Sequence, residues 1–186
     1  MFGSLQRSSN IATDRKHDMR KPMSNPVVVS TIQTPYGKKK ELWKILSDEA
    51  GQIWVTGTDG KIYQLDKKGS ILKSISVYTY VNIISFSVEK ELIFTAFGET
   101  KVYMCDGNVV RTILDLGKWC PSGLCHTANG DRLVGMRSLN QTKSRVIRFS
   151  GTTEIVLIQN DRQGKPLLSV GVSNALLLTE NGNGDI

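Results

Sequence analysis

Cysteine and histidine are scarce in this 186-residue chain: Cys105, Cys120 and Cys125 are its thiols, His17 and His126 its imidazoles. Three cysteines at irregular spacing do not make a secreted disulfide framework, so a reducing, cytosolic setting is expected. No apolar run approaches the roughly 18 residues that a membrane span needs. The N-terminal stretch MFGSLQRSSNIATDRKHDMRK has no apolar core of the kind a signal peptide carries. Motifs of common catalysts are missing too: there is no G-x-S-x-G, P-loop or H-E-x-x-H. Cys120-x4-Cys125-His126 offers three ligands, but Cys125 and His126 are adjacent on an expected strand and point to opposite faces. Neither a metal nor a cofactor is expected.

What the chain does contain is a repeat. Ile45 to Ile75 holds four short apolar runs, Ile45–Ser47, Ile53–Thr56, Ile62–Leu65 and Ile71–Ile75, separated by the turn clusters DEAG, GTDG and DKKG. Each cluster pairs an Asp with a Gly suited to positive φ, and each run is too short for a helix. The pattern returns over Ile83–Ile113 and Leu124–Ile158. Trp54 falls on Ile93, Leu133 and Leu177 at steps of 39, 40 and 44 residues. Tyr63 falls on Tyr103 and Ile147, and Asp66 on Asp106 and Ser150. A four-stranded antiparallel unit with a period near 40 residues predicts an all-β fold, a β-propeller.

The expected blades are 41–77, 81–116, 121–161 and 167–186, the last cut short after its second strand begins. Residues 1–26, polar and without periodicity, are expected to be a disordered linker, with the partial propeller spanning 27–186. About three and a half blades cannot close, so the chain is expected to be an incomplete propeller, part of a six-bladed ring. Val27–Thr34, a β-branched run, is predicted to be a strand left without its sheet. Apolar sheet faces at the open sector are expected to be exposed.

The run PSGLCHTANGDRLVG (Pro121–Gly135) resembles an NHL repeat, and ILSDEAGQIWVT with KIYQLDKKGSIL resembles one more loosely. With GKWCPSGLCHT, RVIRFSGTTE and the terminal ENGNGDI, the chain resembles the C-terminal propeller of invertebrate tripartite-motif proteins. Members of that family carry a RING finger, B-boxes and a coiled coil upstream, and their propellers recognise proteins or RNA. Three Cys and two His cannot build a RING or a B-box. The resemblance therefore implies a non-catalytic recognition module, binding a protein partner as in a tripartite-motif-type ubiquitin ligase. Single-stranded RNA binding is the alternative. A calcium-dependent lactonase-type hydrolase is the remaining reading: Asn181-x-Asn183-x-Asp185 spaces oxygen ligands as a calcium loop does, but it lacks further acidic ligands and reads as a Gly-rich turn. The expected innermost strands carry no carboxylates.

Charge points to a surface. The net charge is +7, but residues 1–44 hold nine Lys/Arg against three Asp/Glu, and the repeats are nearly neutral. In an up-and-down blade, second-to-third strand loops and blade-to-blade connections emerge on one face. Lys61, Lys101, Lys118, Lys143, Arg162 and Lys165 sort to that face, against Asp59, Glu99 and Asp161, with Tyr78, Tyr80 and Trp119 in its connections. Asp48, Glu49, Asp66, Glu89, Glu91, Asp106, Asp131 and Glu154 sort to the other, against Lys67, Lys68 and Lys90. Aromatic groups beside cations suit anchoring a peptide or stacking on bases. The competing reading of Trp119 is packing between blades. The loop Ser138–Ser144 is longer than its counterparts, as loops are where function varies.

Overall fold

The computed structural model describes residues 25, 27–168 and 176–181. The chain divides into the units Met1–Thr31 and Ile32–Ile186. In the first, Val27, Val28 and Val29 are exposed. The strand expected over Val27–Thr34 does not form. A β-branched run takes up strand geometry with a ladder partner, and no ladder among the described residues includes these.

In the second unit the described residues form twelve strands: β1 Leu42–Ser47, β2 Ile53–Gly57, β3 Lys61–Leu65, β4 Ile71–Ser76, β5 Val81–Phe86, β6 Leu92–Ala96, β7 Lys101–Asp106, β8 Val109–Asp115, β9 Trp119–His126, β10 Arg132–Ser138, β11 Ser144–Ser150 and β12 Thr153–Ile158. They make three antiparallel sheets in sequence order, β1-β2-β3-β4, β5-β6-β7-β8 and β9-β10-β11-β12. The first strands lie side by side, β1 against β5 and β5 against β9, as the inner strands of neighbouring blades do. The fold is all-β, an incomplete β-propeller.

The register repeats with the sequence. Val55 faces Tyr63, Phe94 faces Tyr103, and Val134 faces Ile147 across the second and third strands. Each blade breaks register once between its first two strands and once between its last two, for example at Leu42/Lys44 and Gln64/Leu65. Bulges at matching ladders give the blades a common local twist. Trp54, Ile93 and Leu133 are all buried. Trp54 and Ile62 pack against Val81, Leu92 and Phe94 to join the first two blades. Ile93 and Val102 pack against Val134, Met136 and Ile147 to join the next two.

The expected fourth blade is not a sheet among the described residues: 167–168 and 176–181 form no strand. The rest of it, with Asn183 and Asp185, lies outside the described residues, as do His17 and most of the expected linker. Leu177 is 88% exposed and does not take the place of Trp54. Its neighbours point inward instead. Gly123 and Gly135 face each other across β9 and β10. A Cβ on Gly123 would meet the Leu176 carbonyl oxygen at 2.1 Å, and one on Gly135 the Leu176 Cβ at 2.9 Å. Only glycines let the chain lie this close.

The other end of the stack is covered as well. Tyr36 packs over Val55, Tyr63 and Leu65. Its hydroxyl donates to Asp59 Oδ1 at 3.0 Å and to the Lys61 carbonyl at 3.3 Å, while Tyr63 donates to Asp59 Oδ2 at 2.9 Å. Burial alone would raise the Asp59 carboxyl, but the Tyr63 and Tyr36 hydroxyls and the Lys40 ammonium hold it below its usual value. The expected exposure of the end faces is thus corrected in part: flanking segments cover Val55 and the Gly123–Gly135 pair. Ile155, Val156 and Leu157 on β12 do remain exposed.

Candidate partner-binding face

One backbone hydrogen bond recurs in all three blades and builds the candidate face. The amide just after each second strand donates to the carbonyl just before each first strand. The pairs are Thr58 to Glu41 at 3.1 Å, Phe97 to Tyr80 at 2.7 Å and Leu139 to Lys118 at 3.1 Å. These bonds tie every second-to-third strand loop to the connection entering its own blade. Tyr80 and Lys118 therefore occupy equivalent places on one rim.

The third blade elaborates this rim most. Between β10 and β11, the Ser138 hydroxyl accepts from the Thr142 amide at 3.2 Å and the Lys143 amide at 3.1 Å. Gln141 takes a φ of 57° to close the turn. The loop then folds beside Trp119, and Lys118, Trp119, Ser138, Leu139, Asn140, Thr142 and Lys143 line a cleft of about 450 Å³. Leu139 is exposed on its wall. Arg145 from β11 lies over the Trp119 ring, its guanidinium carbon 3.9 Å from the centroid. That contact is a cation–π interaction.

Three sequence candidates, Lys118, Trp119 and Lys143, are thus brought together. Trp119 is the first residue of β9 rather than part of a connection, and it also packs against the core between the second and third blades. Trp119 thus packs between blades and also lines the cleft. The others are dispersed along the rim. Tyr80 meets Trp43 edge to face with centroids 5.5 Å apart. Tyr78 borders a separate cleft on the second blade. Lys61 and Lys101 begin β3 and β7. Arg162 and Lys165 lie in a turn whose Asp161 side chain accepts from the Gln163 and Lys165 amides at 2.9 and 2.8 Å.

Sequence reasoning missed Leu139, Trp43 and Arg145. Leu139 was legible as an apolar residue in a long polar loop. Arg145 was not, because its approach to Trp119 depends on the register break between Gly135 and Met136.

Among the described residues, two acids of the rim, Asp59 and Asp161, are engaged within the fold, while six of its bases form no ion pair. Asp59 is held by two tyrosines and Lys40, and Asp161 by its own turn. Among the described residues, none of Lys61, Lys101, Lys118, Lys143, Arg162 and Lys165 forms an ion pair. Also among them, no group of three or more His, Cys, Asp or Glu side chains converges as a metal site would.

No protein-family model matches the chain, and no curated protein matches it in sequence. Solved structures do. A catalytically inactive variant of virginiamycin B lyase from Staphylococcus aureus, with quinupristin, is 18% identical with a TM-score of 0.51, over 67% of this chain and 43% of that one. A luciferin-regenerating enzyme is 16% identical with a TM-score of 0.53, over 64% and 46%. A protein of unknown function from Bacteroides caccae is 12% identical with a TM-score of 0.52, over 66% and 47%. The chain spans less than half the length of each. The expectation that it is not an enzyme is corrected here, because proteins that share its fold include a lyase and a luciferin-regenerating enzyme. At these identities the likeness extends to the fold, a β-propeller, and to nothing finer.

Proposed function

We propose that the chain is a recognition module that binds a protein partner through the Lys118–Trp119–Leu139–Lys143 cleft. The observation that carries this reading is the cleft itself: an indole and a leucine between two lysines that form no ion pair among the described residues, on a rim where Asp59 and Asp161 are already engaged. An apolar anchor flanked by cations suits a segment in which a hydrophobic side chain lies beside carboxylates. The resemblance to tripartite-motif propellers supports substrate recognition for a ubiquitin ligase in a reducing compartment.

The test is affinity capture with the chain and its Lys118→Glu/Lys143→Glu variant, with and without nuclease. A partner captured by the parent chain, insensitive to nuclease and lost from the variant, is the expected result. Capture undiminished by the double reversal would overturn the reading. Loss with nuclease would point instead to single-stranded RNA, whose binding should flatten by about one unit of salt slope per phosphate contact removed.

A further inference from the structure

One cleft on this basic rim carries the opposite sign. Phe94 on β6 faces Tyr103 on β7, which faces Thr112 on β8, so the three form a row across the second blade. The Phe94 and Tyr103 rings stack with centroids 5.3 Å apart. The connection from the first blade crosses the end of this row. Ser76, Val77, Tyr78 and Thr79 then close, with Val110, Thr112 and Glu99, a cleft of about 290 Å³. That is near the lower limit of small-molecule sites.

The chemistry of its lining is specific. No lysine or arginine lines the cleft, and Glu99 has no ion-pair partner among the described residues. Asp115 adds a second carboxylate nearby. Burial first, then the Glu99 charge and the hydrogen bond between the phenol and the Glu99 carboxylate, and last the Asp115 charge push the Tyr103 phenol above its usual value. The phenol therefore stays neutral, engages the Glu99 carboxylate through its hydroxyl and offers the cleft a ring face, not a competing charge. A carboxylate beside aromatic faces in a partly desolvated cleft is an environment that favours a cation.

We propose that this cleft binds a protonated alkylamine, its methylenes against Val110 and the Tyr103 ring and its ammonium at Glu99. The amine can come from a small molecule or from a lysine side chain. The site is independent of the partner-binding cleft, which has the opposite charge.

The experiment uses the full chain and ligand-observed NMR with n-butylammonium, and with n-butanol as the neutral isostere. The amine should bind at least about tenfold more tightly than the alcohol, and Glu99→Gln should remove about that factor. Lys118→Glu/Lys143→Glu should leave amine binding unchanged, which separates failure here from failure of the partner reading. A lysine peptide that binds, and ceases to on lysine acetylation, would support a side chain as the source. Butylammonium binding without peptide binding would support a free amine. Equal binding of amine and alcohol, no effect of Glu99→Gln, or no binding of either amine or peptide would overturn the proposal. The amine–alcohol comparison needs no variant, so it stands even if a substitution impairs folding.

Discussion

The two rims of the blade stack are built from loops of similar length and polarity, yet they spend their charged groups differently. On the acidic rim, the residue after each first strand caps the next turn with its side chain. Asp48 accepts from the Gln52 amide at 2.8 Å, Ser87 from Glu91 at 3.0 Å, and Thr127 from Asp131 at 3.1 Å. Ion pairs take up further acids: Glu49 with Lys90, Glu91 with Arg111, and Asp131 with Arg148. Backbone bonds close turns on both rims, and the basic rim adds Thr58–Glu41, Phe97–Tyr80 and Leu139–Lys118 together with side-chain caps from Ser138 and Asp161. Its lysines are thus not needed to hold the loops. Charge that does not hold the fold is available to a ligand. The acidic rim should therefore respond to mutation through stability and the basic rim through binding.

The largest effect is expected where the acidic rim meets the core. Trp54 is buried, meets Phe86 edge to face, and donates its indole N–H to Asp48 Oδ2 at 3.4 Å. Trp54→Ala should cost roughly 3–5 kcal/mol in urea unfolding. Lys67→Ala, at an exposed turn, should stay within about 0.5 kcal/mol. Equal small losses from both would break the distinction between core and rim.

Next comes acid sensitivity. His126 ends β9 at the acidic rim with both ring nitrogens buried and, among the described residues, without a hydrogen-bond partner. Burial, reinforced by the Arg132 guanidinium, lowers its pKa from 6.5 to about 4. The folded chain therefore keeps the ring neutral where the unfolded chain protonates it. Stability from this group is complete above pH 6.5, falls as pH drops from 6.5 towards 4, and levels off below that. The loss should approach about 3 kcal/mol. Urea titrations at several pH values would show this slope, and His126→Leu should remove it. An unchanged slope in the variant would assign the acid sensitivity elsewhere.

The turn caps sharpen the comparison further. Ser87 and Thr127 do with a hydroxyl what Asp48 does with a carboxylate. Asp48→Ala should thus cost about 1 kcal/mol for the lost acceptor. Asp48→Ser should remain within about 0.5 kcal/mol of the parent. If both variants lose the same amount, the charge rather than the acceptor holds that turn.

The smallest stability effect is expected on the basic rim. Lys118→Glu and Lys143→Glu, singly or together, should shift unfolding by no more than about 0.5 kcal/mol while removing partner capture. A large stability loss would show that these lysines support the long loop, contrary to the contrast drawn between the rims.

By itself the sequence determined the blade. Its period sets Trp54, Ile93 and Leu133 at equivalent buried positions, and its Asp–Gly clusters fix turns between runs too short for helices. Up-and-down topology then follows from short connections, and with it the sorting of the loops between two rims. These features are local or periodic, so a linear string records them. The tertiary structure decided what depends on one segment meeting another far along the chain. Val27–Thr34 reads as a strand by propensity alone but has no ladder partner among the described residues. Leu177 matches the period, yet Leu176 and Leu178 are the ones that face the Gly123–Gly135 pair. Arg145 reaches Trp119 across a register break, and Glu99 gains its aromatic surroundings only where Phe94, Tyr103 and Thr112 align on three strands. Registers, bulges and end caps are settled by competition among distant surfaces for burial and hydrogen bonds, and a repeat pattern does not encode the outcome.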